Sequence, residues 1–419
     1  MIAPPLALTA RYIFPVAGGP IRGGVITIAG ERIVAVGENR SGAASVDLGN
    51  VAILPGLVNA HTHLEFSDLT APLGTPGNPL PDWIRQVMAH RRSADPGVDD
   101  PRGGGLAECA RGGATSVGEI ATHGWPAGPG AAPSGALLSP ADVTVFWEVI
   151  GLRPNQFDER LTAARTHLSR AWPDADCAWP GLSPHAPYSV HPLLLEEIVR
   201  LAVETRVPLA MHVAESREEL ELLAHGTGPL RQLLEELGVW SPEVFAGGRR
   251  PLDYLRALAG APRGLAIHGN YLDDEEIDFL AARTASLSVV FCPRTHAFFS
   301  HDPYPLAQML ARGVNVALGT DSRASNPDLS LLSEMRFCAG SHADVPGANL
   351  LEMATLAGAR ALGVDRQTGS LAAGKLANLA VVALPGHDAA DPHELIMGGA
   401  LPVVATWHRG VRVATTGSS

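Results

Sequence analysis

Residues 53–65 read Ile-Leu-Pro-Gly-Leu-Val-Asn-Ala-His-Thr-His-Leu-Glu, an apolar run that ends in the pair His61 and His63. The run predicts a buried strand, and because residues two apart on a strand share a face, the two imidazoles can bind one ion. A His-x-His pair alone is weak evidence for a metal site. Three later apolar runs also end in a polar residue, namely His212, His268 and Asp321. The repetition predicts four strand ends that converge on one point.

The composition is that of a globular protein of 419 residues, with 46% hydrophobic and 18% charged residues. A net charge of −12, spread along the chain, argues against a nucleic-acid partner. No uninterrupted apolar run of about 20 residues occurs, so no membrane span is expected. Four cysteines without Cys-x-x-Cys spacing favour the cytoplasm and exclude a cysteine metal cage.

The lysine content restricts the possible chemistry. Lys375 is the only lysine, and all other basic charge is arginine. A Schiff-base lysine, a phosphate-loop lysine or a lysine modified to bridge two metals therefore has to be Lys375 or be absent.

Strand-like runs occur near both ends of the chain, at residues 25–28, 32–36, 379–383, 403–407 and 411–413. The first two flank a turn at Gly30 and predict a hairpin. Isolated hairpins are only marginally stable in water. We therefore expect residues 1–54 and 364–419 to pack together as one small β-sandwich domain.

The central part of the chain alternates strand-like and helical segments, the pattern of βα units on a parallel sheet. Eight strands are predicted, at residues 57–63, 115–120, 143–149, 181–185, 207–213, 264–269, 285–291 and 314–320. Helices are predicted at residues 193–203, 230–236 and 274–282. Eight repeats predict an α/β fold in which residues 55–363 form a (β/α)₈ TIM barrel with the catalytic site.

Two stretches rich in proline and glycine, residues 94–105 and 121–140, are predicted to be loops. The second has two possible interpretations: a lid over the mouth of the barrel or a disordered insertion.

The predicted strand ends carry imidazoles and one carboxylate, a set suited to a borderline cation such as Zn²⁺. Such an ion acidifies a bound water, and the reaction then also needs a proton carrier. Glu215, three residues after His212, lies where its carboxylate can turn back and carry a proton. The alternative is that Glu215 is only a residue at a helix N-terminus beside Ser216.

Several motifs together resemble the amidohydrolase superfamily, in its deaminase and chlorohydrolase branch. They are Pro-Gly-Leu-Val-Asn-Ala-His-Thr-His at 55–63, His-Val-Ala-Glu at 212–215, His268, Thr-Asp-Ser at 320–322 and the segment 369–380. The resemblance implies one divalent ion, Zn²⁺ with Fe²⁺ as the alternative, bound by His61, His63, His212 and Asp321. It also implies that His268 orients the metal-bound water, that Asp321 takes a proton from it and that Glu215 is the proton shuttle.

The predicted fourth strand adds detail to this resemblance. Members with two metals carry a modified lysine at its end, whereas here it ends in Ser-Pro-His-Ala-Pro-Tyr at 183–188. One metal is therefore implied. The segment resembles that of enzymes that deaminate methylthioadenosine and S-adenosylhomocysteine, which makes His185 a purine contact.

Further segments resemble the bacterial aminodeoxyfutalosine deaminases, at 61–67, around Trp83, at 146–151 and at 291–299. The ribose-binding carboxylate of the methylthioadenosine enzymes has no counterpart at 88–92, so Glu65 or Glu148 is expected to bind substrate instead, and Trp83 is expected to contact it. Three residues after the last two predicted strands are expected to meet a carboxylate on the substrate tail: Arg294, His296 and Arg323.

These observations predict a hydrolytic deaminase that replaces the exocyclic amino group of an adenine-type nucleoside with oxygen and releases ammonia. One alternative keeps the site and changes the substrate, to a chlorohydrolase or to a deaminase of a triazine, pterin or guanine. An alternative of another class is a barrel that serves as a scaffold without catalysis. The expected partner is a small-molecule substrate, and the resemblance also suggests a homodimer.

Overall fold

The computed structural model describes residues 5–38, 45–93, 100–125, 139–170, 172 and 177–415. Within them the strands are β1 (Leu6–Thr9), β2 (Tyr12–Ile13), β3 (Ile21–Arg22), β4 (Gly24–Ala29), β5 (Arg32–Glu38), β6 (Val46–Asp47), β7 (Val51–Pro55), β8 (Leu57–Thr62), β9 (Ala114–Ala121), β10 (Asp142–Val149), β11 (Ala178–Pro184), β12 (Leu209–Val213), β13 (Gly264–His268), β14 (Leu287–Phe291), β15 (Val316–Leu318), β16 (Leu379–Ala383), β17 (Val403–His408) and β18 (Val411–Thr415).

The α-helices of the same residues are α1 (Leu80–Ser93), α2 (Arg102–Arg111), α3 (Phe157–Ser169), α4 (Pro192–Thr205), α5 (Arg217–His225), α6 (Pro229–Glu236), α7 (Pro242–Phe245), α8 (Pro251–Leu258), α9 (Asp274–Ala281), α10 (Pro293–Phe298), α11 (Leu306–Ala311), α12 (Leu331–Ser341), α13 (Gly347–Met353), α14 (Leu356–Leu362) and α15 (Glu394–Met397). None of these helices is both long and apolar enough to cross a membrane.

Strands β8 to β15 form one parallel sheet in which each strand pairs with its neighbours in sequence. A parallel bridge between Thr62 and Asp321 joins the last strand segment to the first. The amide of Asp321 also donates a hydrogen bond to the carbonyl of His61, at 3.1 Å. The sheet is thereby closed into a ring, and the predicted (β/α)₈ barrel is confirmed.

The barrel strands are buried on both faces, which is why they read as continuous apolar runs in the sequence. Every residue of β8, β9, β12, β13, β14 and β15 is buried. The three predicted helices are also present, as α4, α6 and α9. Proline at the first turn begins α4 and α6, and a capping box of Asp273 and Glu276 begins α9.

The terminal segments form two further sheets, with strand orders β5-β4-β1-β6 and β18-β17-β16-β7-β2-β3. Strands β4 and β5 form the hairpin predicted around Gly30. Ile26 from the first sheet and Ile53 and Val381 from the second share one apolar core. The polypeptide passes from β7 directly into β8, so the terminal sheets are joined to the barrel beside its first strand.

The prediction of a loop over residues 94–105 is wrong for residues 102–105, which begin α2. The helix forms despite its glycines because it packs closely: a Cβ at Gly105 would lie 2.0 Å from Oγ of Ser67. Residues 94–99 and 126–138 lie outside the described residues. The two interpretations of residues 121–140, a lid and a disordered insertion, therefore concern a segment that is mostly outside them.

Candidate active site

The carboxyl ends of the barrel strands bring the predicted metal ligands together. Nε2 of His63 lies 3.4 Å from Nε2 of His212. Oδ1 of Asp321 lies 3.6 Å from Nε2 of His61 and 3.8 Å from Nε2 of His63. His268 joins the group, because one ring nitrogen from each of His61, His212 and His268 falls within 4.8 Å of the others. We call these five residues and Glu215 the ligand end of the site.

Unsatisfied polar atoms at this point indicate that the residues fit a cation. Both ring nitrogens of His61 and Nδ1 of His63 are buried and have no hydrogen-bond partner among the described residues. Nδ1–H of His212 donates to the carbonyl of His185 at 2.9 Å, which leaves Nε2 to face the cluster. Three imidazoles and one carboxylate form a donor set suited to a divalent ion of the zinc type.

Backbone strain accompanies this convergence. His268, Asp321 and Ala214 adopt left-handed conformations, with φ of 69°, 57° and 54°. Such residues cost on the order of 1 kcal/mol each and persist only where their surroundings hold them. Here the amide of Ala214 donates to Glu219 at 2.8 Å, and the hydroxyl of Tyr304 donates to the carbonyl of His268 at 2.9 Å. The strain turns the chain sharply at the strand ends.

A close approach also shapes the ligand end. A Cβ at Gly319 would lie 2.9 Å from Cβ of His61 and 3.0 Å from its carbonyl oxygen. Only glycine therefore lets the segment after β15 lie against the end of β8, and this brings Asp321 beside His61.

The protonation states favour metal binding. Burial lowers the pKa of His63, His212 and His268 well below the usual histidine value, and neighbouring imidazoles lower it further. Burial opposes ionisation of Asp321, but the charges of His61, His63 and His268 bring the pKa of that carboxyl below its usual range. Neutral imidazoles beside an ionised carboxylate are the forms that ligate a metal.

Glu215 is buried and follows the strained Ala214 directly. Its Oε1 lies 3.5 Å from Nε2 of His268. Burial raises the pKa of Glu215 well above the usual carboxyl value, and the charge of Asp321 adds to this. Ser216, not Glu215, is the N-cap of α5. The side chain is therefore available to hold and release a proton at the site.

Two buried carboxylates that were not predicted accept hydrogen bonds from residues next to the metal ligands and Glu215. Glu119 accepts hydrogen bonds from Thr62 Oγ1 at 2.8 Å and from the amide of Leu64 at 2.9 Å, on either side of His63. Glu219 accepts from the amides of Ala214 and Glu215, at 2.8 and 3.0 Å. A charge inside the apolar run 115–120 was the signal that could have identified Glu119.

A cavity of about 310 Å³ extends outward from the ligand end. Of the predicted substrate contacts, Trp83, Glu148 and His185 line it. Beyond them its wall comes from α3, α6 and the segments beside them, and we call this the tail wall. The tail wall is formed by Ile150, Leu152, Gln156, Arg160, Leu233, Leu234, Leu237 and Val239.

Arg294 and Arg323 do not line the cavity, which corrects the expectation that they meet the substrate tail. Arg294 donates to Glu334 and Asp328, each at 2.7 Å, and Arg323 donates to Glu108 at 2.8 Å. Each guanidinium is thereby neutralised by carboxylates of the scaffold.

His296 and Glu65 also lie outside the cavity lining, which corrects the expectation that they contact substrate. His296 packs against the rings of Phe291 and Tyr304. Glu65 accepts a hydrogen bond from Arg91 at 2.6 Å, so it reaches the cavity only through that arginine.

The cationic residues that do line the cavity are Arg91 on α1 and Arg160 on α3. Sequence reasoning missed both because they lie on helices and belong to no motif. The guanidinium of Arg160 donates to the exposed Glu159 at 3.2 Å, whereas its Nε is buried without a partner among the described residues and remains a donor for a ligand.

Comparison with known proteins agrees with this geometry. The amidohydrolase family profile matches residues 52–416. The 5-methylthioadenosine/S-adenosylhomocysteine deaminase of Moorella thermoacetica is 32% identical over 91% of this chain and 85% of its own. The aminodeoxyfutalosine deaminase of Deinococcus radiodurans is 31% identical over 85% of each chain.

Among solved structures, an adenosine deaminase from Xanthomonas campestris with bound zinc superimposes with a TM-score of 0.74. It is 26% identical, and the match covers 97% of this chain and 92% of the other. The site residues, the barrel and these relatives agree on a metal-dependent hydrolase with a small-molecule substrate. The chain belongs to the amidohydrolase family.

Proposed function

We propose that this protein is a hydrolytic deaminase of an adenine-type nucleoside whose 5′ position carries a tail. The observation that carries the proposal is the convergence of a metal-ligand set and a proton-holding Glu215 at the inner end of one cavity. The reaction consumes water, leaves oxygen in place of the exocyclic amino group and releases ammonia.

We assign the ion to His61, His63, His212 and Asp321, with His268 beside it. When bound, such an ion supplies Lewis acidity, which makes a hydroxide nucleophile available at neutral pH. Zinc is the proposed identity because the donor set is three imidazoles and a carboxylate, and iron is the alternative.

Glu215 is assigned the proton transfers. Because burial raises its pKa, Glu215 holds a proton more readily than an exposed carboxyl does, and it can give a proton to the ring nitrogen next to the reacting carbon. Once ionised, Glu215 can take one proton of the attacking water, and Asp321 is assigned the other, which passes to the leaving amino group. His268, 3.5 Å from Glu215, is placed to orient the water.

The substrate tail is assigned to the tail wall. Its leucines and valine offer an apolar surface, and the guanidinium of Arg160 offers donors for a planar anion. An aromatic carboxylate attached at the 5′ position, as in aminodeoxyfutalosine, would use both. The proposal therefore keeps the predicted substrate and replaces Arg294 and Arg323 with Arg160.

A homodimer and a cytoplasmic location are further proposals, supported by the family resemblance and by the cysteine pattern. Light scattering of the purified protein and fractionation of cells test them.

The test is ammonia release from aminodeoxyfutalosine, methylthioadenosine, S-adenosylhomocysteine and adenosine, with guanine, pterins and atrazine as comparison compounds. We expect aminodeoxyfutalosine to be turned over fastest, and elemental analysis to find about one divalent ion per chain. A His61→Ala/His63→Ala variant is the control and should lose both the ion and the activity. Turnover confined to guanine, pterins or triazines would contradict the proposal.

A further inference from the structure

Glu148 is an unusual carboxylate in this cavity. It lies near the carboxyl end of β10, lines the cavity and has a side chain that is only 4% exposed. Its Oε1 lies 3.9 Å from Nε2 of His185. That distance is too long for a hydrogen bond. Glu148 therefore has no donor from the described part of the protein.

The other buried carboxylates near the site differ in this respect. Glu119 and Glu219 each accept hydrogen bonds from two donors. An acceptor that is withdrawn from water without a donor is costly to the folded protein. In agreement, burial raises the pKa of Glu148 to about 7. Arg91, which lowers that pKa, is itself bonded to Glu65 at 2.6 Å.

The position of Glu148 indicates which part of a ligand it faces. The ring centroid of His185 lies 5.1 Å from that of the ligand His212, and Nε2 of His185 lies 3.9 Å from Oε1 of Glu148. Three residues after Glu148, a Cβ at Gly151 would lie 3.5 Å from Cγ of Arg160 in the tail wall. A base at the ligand end and a tail at Arg160 leave the sugar between them, next to Glu148.

The donors of such a substrate are few. An adenine nucleoside substituted at the 5′ position has its exocyclic amino group, which is at the reacting carbon, and the 2′ and 3′ hydroxyls. The two hydroxyls are therefore the donors that remain for an acceptor beside the sugar. A carboxylate has two oxygens and can accept from both members of a vicinal diol.

We propose that Glu148 binds the vicinal 2′ and 3′ hydroxyls of the substrate and makes the enzyme selective for ribonucleosides. The inference rests on the proposed function. It selects Glu148 over Glu65 as the carboxylate that binds substrate and gives Glu148 a role in specificity.

The experiment compares adenosine with 2′-deoxyadenosine, 3′-deoxyadenosine and 2′,3′-dideoxyadenosine in the wild type, Glu148→Gln and Glu148→Leu. Hydrogen bonds to a charged group predict that the wild type loses about 10-fold in kcat/KM for each missing hydroxyl. Glu148→Gln should reduce this preference, and Glu148→Leu should abolish it or favour the dideoxy compound. The ratio of rates is the readout, because a purely structural defect lowers all four rates together.

Glu65→Gln is the matched control, since it makes the same chemical change at a nearby carboxylate that does not line the cavity. It should keep the preference of the wild type. Binding gives a second readout: in the Glu215→Gln background, the dissociation constants of adenosine and its dideoxy analogue should differ, and adding Glu148→Gln should bring them together.

Equal wild-type rates on adenosine and 2′,3′-dideoxyadenosine would overturn the role of Glu148 and leave the deaminase proposal intact. An unchanged preference in both Glu148 variants would do the same. Failure of the wild type to deaminate any adenine nucleoside would overturn both proposals.

Discussion

The ligand end and the tail wall are two parts of one cavity, and they are built in different ways. At the ligand end, strands place the side chains, strained residues such as His268 and Asp321 turn the chain, and Glu119 and Glu219 hold it. The tail wall comes from α3, α6 and nearby loop segments, and its residues are mostly apolar. Chemistry is fixed by the closed sheet, whereas substrate choice depends on the elements that surround it.

Replacing Glu215 tests the ligand end and has the largest expected effect. Glu215→Gln keeps the shape of the side chain but cannot carry a proton, so kcat should fall by about 10²- to 10⁴-fold. Metal content, measured by elemental analysis, should stay unchanged. Glu218→Gln, the same change three residues further along, is the control and should retain the kcat of the wild type. Wild-type turnover by Glu215→Gln would remove its catalytic role.

Replacing Glu148 tests the boundary between the two parts through pH. Because the folded-state pKa of about 7 is raised above the unfolded value, the folded state holds the proton more tightly. Stability should therefore fall as the pH rises from about 4.5 to about 7 and then level off. Glu148→Gln has no titrating group at this position, so its stability should lack this dependence on pH. Over the same pH range, the difference in free energy of unfolding between wild type and variant should therefore fall by about 3 kcal/mol. Urea unfolding at about pH 5 and about pH 8 measures it. A difference that does not change with pH would contradict the burial argument.

Replacing Arg160 tests the tail wall and has the smallest expected effect. Arg160→Leu should raise KM about 10- to 100-fold for a substrate with a carboxylate tail, because a charge-assisted hydrogen bond is lost. The KM for adenosine, which lacks the tail, should not change. Arg323→Gln is the control, since Arg323 is bonded to Glu108 outside the cavity. If the two variants gave the same KM for the anionic substrate, the tail wall would have no role in charge recognition.

The same contrast explains what could be predicted from the sequence. A buried parallel strand leaves a continuous apolar run, and a ligand at its end leaves a polar residue, so the eight strands and residues such as His212 were evident. The backbone itself then brings the strand ends together. The (β/α)₈ fold and the position of Glu215 beside the ligand end followed from local patterns.

The partners of the arginines did not follow from local patterns. Arg294 and Arg323 follow barrel strands, as predicted, yet their side chains bind Glu334 and Glu108, which lie on α12 and α2. A long, flexible side chain takes the partner that helix packing supplies, and that packing is not encoded near the arginine. Arg160 was missed for the same reason, because only the packing of α3 beside the strand ends brings it into the cavity.

The bridge between Thr62 and Asp321 closes the barrel. Thr62 directly follows the first proposed metal ligand, His61, and Asp321 is the last one. The point at which the sheet closes therefore coincides with the cluster of metal ligands. His61 and Asp321 are far apart along the chain, and they come together only when the first and eighth strands meet. A chain that has formed seven strands holds no complete ligand set. Ion binding therefore favours the closed ring over every partly folded form, and the capacity to bind the ion marks the completion of folding.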